Sequence, residues 1–277
     1  MGMRITTNMA AISAQKSMAG SQREIQKSMA QLASGSRITK SADDAAGLAI
    51  SENLRSQIRS LGQAGRNAND GISLIQTAEG GLGEVSNILT RMRELGIQSA
   101  SDTVSDKERS LIDREVQQLK AEVQRIAITT KFGNQSLIDG RGQTYDFQVG
   151  IQNNAEADRI SFDASEANAT SEALGIDGFD FSHKSGSQEA LSVLDEAQSN
   201  VNAFRATLGA LQNRLQSTVE NTLTANENLS AANSRIRDTD VALASSEMAR
   251  NSILLQASNS TLAQANQVPS MALKLLG

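Results

Sequence analysis

The sequence predicts a mainly α-helical protein. We expect a long antiparallel helical bundle or coiled coil with a small β-hairpin region in the middle and paired N- and C-terminal helices. The 277 residues include one proline and only 3% aromatic residues, a composition that permits long helices but not a wide globular core. Apolar residues recur at heptad spacing in the first and last thirds of the chain, whereas the aromatic residues concentrate in a central stretch.

The strongest heptad pattern lies in the C-terminal third and predicts one long helix with a coiled-coil seam. Its two rows hold eleven apolar residues at thirteen positions, whereas the overall apolar content of 39% would place about five there. At ~1.5 Å per residue this helix is roughly 65 Å long. The rows are Leu194, Val201, Leu208, Leu215, Thr222, Leu229 and Ile236, and Ala197, Phe204, Leu211, Thr218, Ala225 and Ala232.

The first half of the chain predicts two further helices of the same bundle. The first is expected to start at Ser41, which caps the helix, with Asp43 and Asp44 at the positive end of the helix dipole. Its weak point is the glycine-rich stretch 80–83. The second begins at a capping box, Ser105–Glu108. Their apolar rows are Leu54, Leu61, Ala68, Ile75, Leu82 and Leu89, and Ile112, Val116, Leu119, Val123 and Ile126.

Residues 140–181 are expected to contain a β-hairpin and a loop-rich extension. Six of the seven aromatic residues of the chain lie between Phe132 and Phe181. Apolar and polar residues alternate from Tyr145 to Ile151 and again at Ile160–Phe162, as is typical of half-buried strands. Two asparagines, at 153 and 154, supply turn residues between these strands.

The two ends of the chain predict thin amphipathic helices. Burial of all large apolar side chains in the N-terminal segment contributes roughly 10 to 20 kcal/mol, whereas ordering about 28 residues of backbone costs on the order of 28 to 56 kcal/mol. We therefore expect both ends to be disordered in the free monomer and to fold when copies assemble. Head-to-tail contacts that do not close give an open helical filament. The expected assembly residues are Ile5, Ile12, Met18, Ile25, Leu32, Val241, Met248, Leu255 and Leu262.

These patterns divide the chain into two nested domains. Residues 1–41 and 239–277 are expected to form an inner domain. Residues 42–189 and 190–238 are expected to form the two parts of a helical domain that contains the hairpin region.

Composition argues against several classes of function. A net charge of -5 and scattered basic residues disfavour a nucleic-acid surface, and the absence of cysteine excludes disulfides and thiolate metal sites. No apolar run approaches the ~20 residues of a membrane span. The start of the chain lacks the pattern of a cleaved signal peptide, so we expect either a cytoplasmic protein or export without a cleaved leader.

Enzymatic activity is not expected, and neither is a cofactor or a metal. His183 is the one histidine, which excludes multi-histidine metal motifs, and its glycine- and serine-rich surroundings favour a surface loop over a catalytic triad. Asp43 and Asp44 fit helix capping better than acid–base catalysis. The glycine-rich stretch 80–83 does not follow a strand and is therefore not interpreted as a phosphate loop.

Several stretches resemble the bacterial flagellins, and the resemblance covers approximately residues 1–140 and 190–277. It is carried by Leu32–Ile50, Arg66–Ile72, Arg91–Gln98, Asn228–Asp240 and Leu262–Pro269. It implies a structural subunit that polymerises into the flagellar filament for swimming motility. It also implies export in an unfolded state without a cleaved leader, an export chaperone and export apparatus, and filament cap and hook-junction proteins as partners.

The resemblance also gives a role to one helical surface. In the family, the helix around Arg91, Leu95 and Gln98 packs between protofilaments. In many members, the flagellin-sensing Toll-like receptor of animals also recognises this helix. These three residues match, and so does Glu115 on the following helix. The residues by themselves favour a solvated charged helix face formed by Arg91 and Gln98, with Leu95 facing the bundle. Two alternative functions are a hook–filament junction protein and a cytoplasmic coiled-coil scaffold.

Overall fold

Five α-helices and two small antiparallel sheets form the part of the chain that the computed structural model describes, residues 7–275, with side chains described through residue 267. The mainly α-helical fold class is confirmed, as is the pairing of the terminal helices. The helices are α1 (Met9–Ser34), α2 (Ala45–Ala100), α3 (Asp106–Thr129), α4 (Lys184–Arg237) and α5 (Val241–Leu275). The strands are β1 (Lys131–Phe132), β2 (Gln135–Ser136), β3 (Thr144–Gln148) and β4 (Arg159–Asp163).

The chain divides into two compact units, one of which is Ile58–Glu227 and the other the segments before and after it. This division falls inside α2 and α4, whereas the boundaries predicted at 41/42 and 238/239 lie between helices and stay a prediction. Within Ile58–Glu227, α2 and α4 are antiparallel. Arg93 bonds to Asp195 at 2.6 Å (Nε to Oδ1), and Gln198 bonds to Ser86 at 2.7 Å (Nε2 to Oγ).

The core of this unit is the predicted heptad seam. Deeply buried side chains follow the seam positions of α4 and face the apolar row of α2, because antiparallel helices with matching heptads bury the same stripe along their length. The helix itself starts at Lys184, ten residues before the first seam position at Leu194. The buried members of the α2 row are Ala68, Ile75, Leu82 and Leu89, and those of the α4 seam are Leu194, Ala197, Val201, Leu208, Leu211 and Leu215.

The start of α2 differs from the prediction. The helix begins at Ala45, and Asp44, not Ser41, caps it: its Oδ1 accepts a hydrogen bond from the Gly47 N–H at 2.8 Å. Asp43 serves the turn before it, accepting from the amides of Thr39 and Lys40. Hydrogen bonds from the Thr39 side chain and from these two amides lower the pKa of Asp43.

The glycine-rich stretch does not interrupt α2, which is continuous from Ala45 to Ala100. Gly81 faces the end of α3, where an added Cβ would lie 2.6 Å from Thr130 Oγ1 and 3.0 Å from Ile138 Cδ1. Close packing at this point therefore requires glycine. Gly83 has no neighbour within 4 Å of such a Cβ.

The central segment contains the predicted hairpin and a second, smaller one. Strands β3 and β4 pair antiparallel with Tyr145 opposite Phe162 and Phe147 opposite Ile160. Residue 151 lies beyond β3, so the predicted alternation continues further than the strand does. Strands β1 and β2 form a two-residue hairpin that the sequence did not predict.

Candidate assembly surfaces

The first candidate surface is formed by α1 and α5, which pack along one another in antiparallel orientation. Near one end, the Asn8 amide donates to the carbonyl of Ala265 at 2.8 Å, while its Oδ1 accepts from the Ala11 N–H at 3.2 Å and so caps α1. Near the other end, the Thr239 N–H donates to the carbonyl of Gly35 at 3.0 Å. The pair is therefore joined at both ends of α1 by the residues that cap this helix, Asn8 and Gly35.

The contact between α1 and α5 buries small and polar side chains. No large apolar side chain in the described parts of these two helices is fully buried. The buried residues are Ala14, Ser28, Gln31, Ala244 and Ala265. Alanine, serine and glutamine supply little hydrophobic free energy on burial, so the pair gains little from its own interface.

The predicted assembly residues of these helices divide into two sets. Ile12 and Val241 are largely exposed, at 50% and 62%, and Ile5 lies outside the described residues. The others are half-buried beside the contact line: Met18, Ile25, Leu32, Met248, Leu255 and Leu262. Each helix therefore presents apolar atoms both at the edge of the pair and away from it.

Further apolar side chains of the pair are left uncovered by the described residues. Ile253 and Leu254 on α5 are 67% and 47% exposed. Met9, Met29 and Leu243 are also exposed. An apolar surface of this extent is typical of protein–protein contact.

A short backbone clasp holds the ends of α1 and α4 together. Ser36 and Asp238 form an isolated antiparallel bridge, and the Arg37 N–H donates to the Arg237 carbonyl at 2.6 Å. The Arg237 guanidinium also donates to Glu52 at 2.5 Å, and this bond lowers the pKa of the carboxyl. Sequence reasoning missed the clasp. Its one local signal is Gly35, whose positive φ of 67° ends α1.

The second candidate surface lies on α2 and α3. The Arg91 guanidinium pairs with Glu115 on α3 at 3.0 Å and with Glu94 on its own helix at 3.1 Å. Hydrogen bonds to Glu115 and Glu94 raise the pKa of Arg91. Gln98 is exposed on the same helix, whereas Leu95 is only 2% exposed and packs in the core. The structure thus brings Arg91 and Glu115 together at the surface and places Leu95 beneath it.

The residues considered for catalysis are not assembled into a site. His183 is exposed next to the start of α4, where its carbonyl accepts from the Ser187 N–H. Asp43 and Asp44 are occupied by backbone amides. Among the described residues, no three His, Asp or Glu side chains cluster as a metal site would require. Over the same range, no helix is both long and apolar enough to cross a membrane.

Comparison with known families decides what these surfaces belong to. The model of the bacterial flagellin N-terminal helical region matches residues 5–143, and that of the bacterial flagellin C-terminal helical region matches residues 191–276. The chain belongs to the bacterial flagellin family. The two matched regions contain α1 to α3, α5 and all of α4 from residue 191 onward, and both candidate surfaces lie within them.

Individual relatives agree with this assignment. Flagellin of Halalkalibacterium halodurans is 46% identical over 99% of this chain and 100% of its own length. Flagellin of Bacillus subtilis is 40% identical over the same shares. The crystal structure of Bacillus cereus flagellin, 30% identical, matches with a TM-score of 0.51 over 57% of this chain and 88% of its own.

This flagellin is accordingly a structural subunit of the bacterial flagellar filament, an exported extracellular homopolymer that serves motility. The relatives from Halalkalibacterium halodurans and Bacillus subtilis, which match over 99% of the chain, are flagellins. They favour the filament subunit over a hook–filament junction protein or a cytoplasmic scaffold.

Proposed function

We propose that this flagellin assembles through the exposed apolar surface of the α1–α5 pair. The observation that carries the proposal is the combination of exposed large apolar residues with a contact that buries only small and polar ones. Burial of these exposed side chains against another protein surface would therefore contribute more hydrophobic free energy than the contact within the pair does. Neighbouring copies supply the missing apolar surface, and repetition of the contact gives an open filament.

The same composition supports the proposal that the two ends are ordered by assembly. The fully buried side chains of the pair, such as Ala14 and Ala265, offset little of the backbone entropy that ordering α1 and α5 costs. In dilute monomer, backbone amides of α1 and α5 should exchange rapidly with solvent, whereas those of the seam, such as Leu208 and Leu215, should be protected. Strong protection of α1 and α5 in the monomer would contradict this proposal.

Removal of α5 tests the assembly role directly. A chain truncated after Thr239 retains the whole unit Ile58–Glu227 and should be a soluble helical monomer that adds to no filament seed. Full-length protein under the same seeded conditions is the control. Filaments of the truncated chain, seen by electron microscopy, would exclude the role given to α5.

We further propose that the chain is exported unfolded through the flagellar channel, without a cleaved leader, and polymerises beneath a cap. An export chaperone is proposed to hold α5 before secretion, since Val241, Leu243 and Ile253 offer it an exposed apolar surface. The filament protein should then have the full mass of 29.4 kDa. A shorter secreted product would rule out export without cleavage.

The α2–α3 surface is proposed to lie between protofilaments and to be the surface that an animal Toll-like receptor recognises. Arg91, Gln98 and Glu115 supply exposed polar groups for both contacts, whereas buried Leu95 positions them. Arg91→Ala should therefore weaken receptor signalling in reporter cells. Arg125→Ala, which breaks an exposed ion pair with Glu122 elsewhere on α3, is the matched control. Equal signalling by the two variants would count against the receptor role.

We also propose that the chain has no catalytic activity. His183 and the pair Asp43 and Asp44 are the groups considered for chemistry. Asp43 and Asp44 accept hydrogen bonds from backbone amides in the turn before α2 and at its start, and His183 is exposed beside the start of α4. In this proposal the inner domain comprises residues 1–41 and 239–277, and residues 42–238 form the helical domain.

A further inference from the structure

A small cavity lies between strand β4 and helix α4, inside the unit Ile58–Glu227. Its volume is about 200 Å³. The floor is apolar and mostly buried, and the rim is polar and mostly exposed. Phe162, Ala167, Phe204, Leu208 and Leu211 form the floor; Ser161, Asp163, Glu166 and Thr207 form the rim.

The rim carries negative charge that nothing in the described chain neutralises. The Glu166 carboxylate has no ion-pair or hydrogen-bond partner among the described residues. Asp163 accepts hydrogen bonds from the amide and hydroxyl of Ser165, at 2.9 Å and 2.6 Å, and no basic side chain in the described range pairs with it. Two carboxylates therefore stand above an apolar floor that includes two phenylalanine rings.

The size and chemistry of the cavity limit what it accepts. A volume of about 200 Å³ equals that of roughly six or seven liquid waters, which is enough for one aromatic ring or alkyl stem. An apolar floor disfavours a fully hydrated metal ion or an anion. A positive charge at the rim gains from the carboxylates and from the aromatic ring faces.

We propose that this cavity binds a single organic cation with a short apolar stem, the stem packing against Phe162 and Leu208 and the positive group beside Glu166. Two sources share this chemistry: a lysine or arginine side chain of a second copy, or a free small-molecule cation. The binding step does not depend on the filament role of the chain. Only the choice of a second copy as the source rests on it.

Benzamidinium is the probe for the binding step, and neutral benzamide, which has nearly the same shape, is its control. In full-length monomer, benzamidinium at up to ~50 mM should shift the methyl NMR signals of Leu208 and Leu211, and benzamide should shift them far less. Glu166→Gln should weaken benzamidinium binding about fivefold, the upper range for an exposed ion pair. Glu172→Gln removes the same charge from an exposed position outside the cavity and should leave binding unchanged.

Three results would overturn the proposal: no methyl shift with benzamidinium, equal binding of benzamide, or equal weakening by the two glutamate variants. Seeded polymerisation then identifies the source. A higher critical concentration in benzamidinium, absent with Glu166→Gln, assigns the cavity to a basic side chain of a second copy; an unchanged one assigns it to a free cation. Wild-type protein that forms no filaments would contradict the proposed assembly and leave the NMR result intact.

Discussion

Substitution of Ile253 by serine separates assembly from folding. Ile253 is 67% exposed on α5, so about two thirds of the ~1.5 to 3 kcal/mol that full burial of this side chain contributes is not realised in the monomer. If a neighbouring copy covers it, Ile253→Ser loses ~1 to 2 kcal/mol per contact. Since ~1.4 kcal/mol corresponds to a factor of ten, the critical concentration should rise about five- to thirtyfold.

The assay is sedimentation of filaments grown on seeds over a dilution series, alongside thermal unfolding of the monomer. Unfolding should change by no more than about 0.5 kcal/mol, because the substituted side chain is exposed. Gln256→Ser shortens an exposed polar side chain on the same helix and should leave both measurements unchanged. An unaltered critical concentration for Ile253→Ser would show that this face of α5 is not buried by assembly.

Three further predictions test the helical unit. Leu208→Asp places an unpaired charge in the seam and should lower the free energy of unfolding by at least about 3 kcal/mol. Leu223→Asp, at a 64% exposed position of the same helix, should lower it by less than about 0.5 kcal/mol. Equal effects of the two variants in thermal melts would mean that the seam is misassigned. Gly83→Ala should raise the free energy of unfolding by up to about 1 kcal/mol. Gly81→Ala should not raise it, because the added Cβ meets Thr130. Equal stabilisation by the two variants would refute the close packing of Gly81 against Thr130. Burial of Lys120 lowers its pKa below 10.5, so the folded chain binds this proton more weakly than the unfolded chain does. The free energy of unfolding of the wild type relative to Lys120→Met should therefore rise as the pH approaches 10.5 from below, and a fall in denaturant titrations would contradict this.

The boundaries of α2 show where local reasoning stops. Ser41 was the predicted cap, but Asp43 and Asp44 are residue types that cap helices equally well, so local preference does not separate the three positions. Asp44 is the cap because the preceding turn is fixed by Asp43 and by the burial of Ile38, which is 3% exposed. The glycine stretch is a similar case, since Gly81 is explained only by residues from the end of α3 and the loop after it.

The candidate surfaces show the same division. Heptad spacing predicted which face of α1 and of α5 is apolar. The family resemblance pointed to Arg91 and Glu115, and the structure places Arg91 Nη2 at 3.0 Å from Glu115 Oε1. The clasp between Ser36 and Asp238 had no comparable signal. It joins residues about two hundred positions apart through backbone groups, which every residue carries.

The sequence by itself determined the helical class, the seam, the hairpin pairing and the family, because periodicity states which face of an element is apolar whatever that face packs against. Tertiary structure alone decided how much of each apolar face is covered within one copy. It covers the seam of α4 completely at Leu208 and Leu215 but leaves Ile253 of α5 largely exposed. Burial depends on the neighbours that the fold supplies, and α5 meets in α1 a partner too narrow to cover more than one stripe of it.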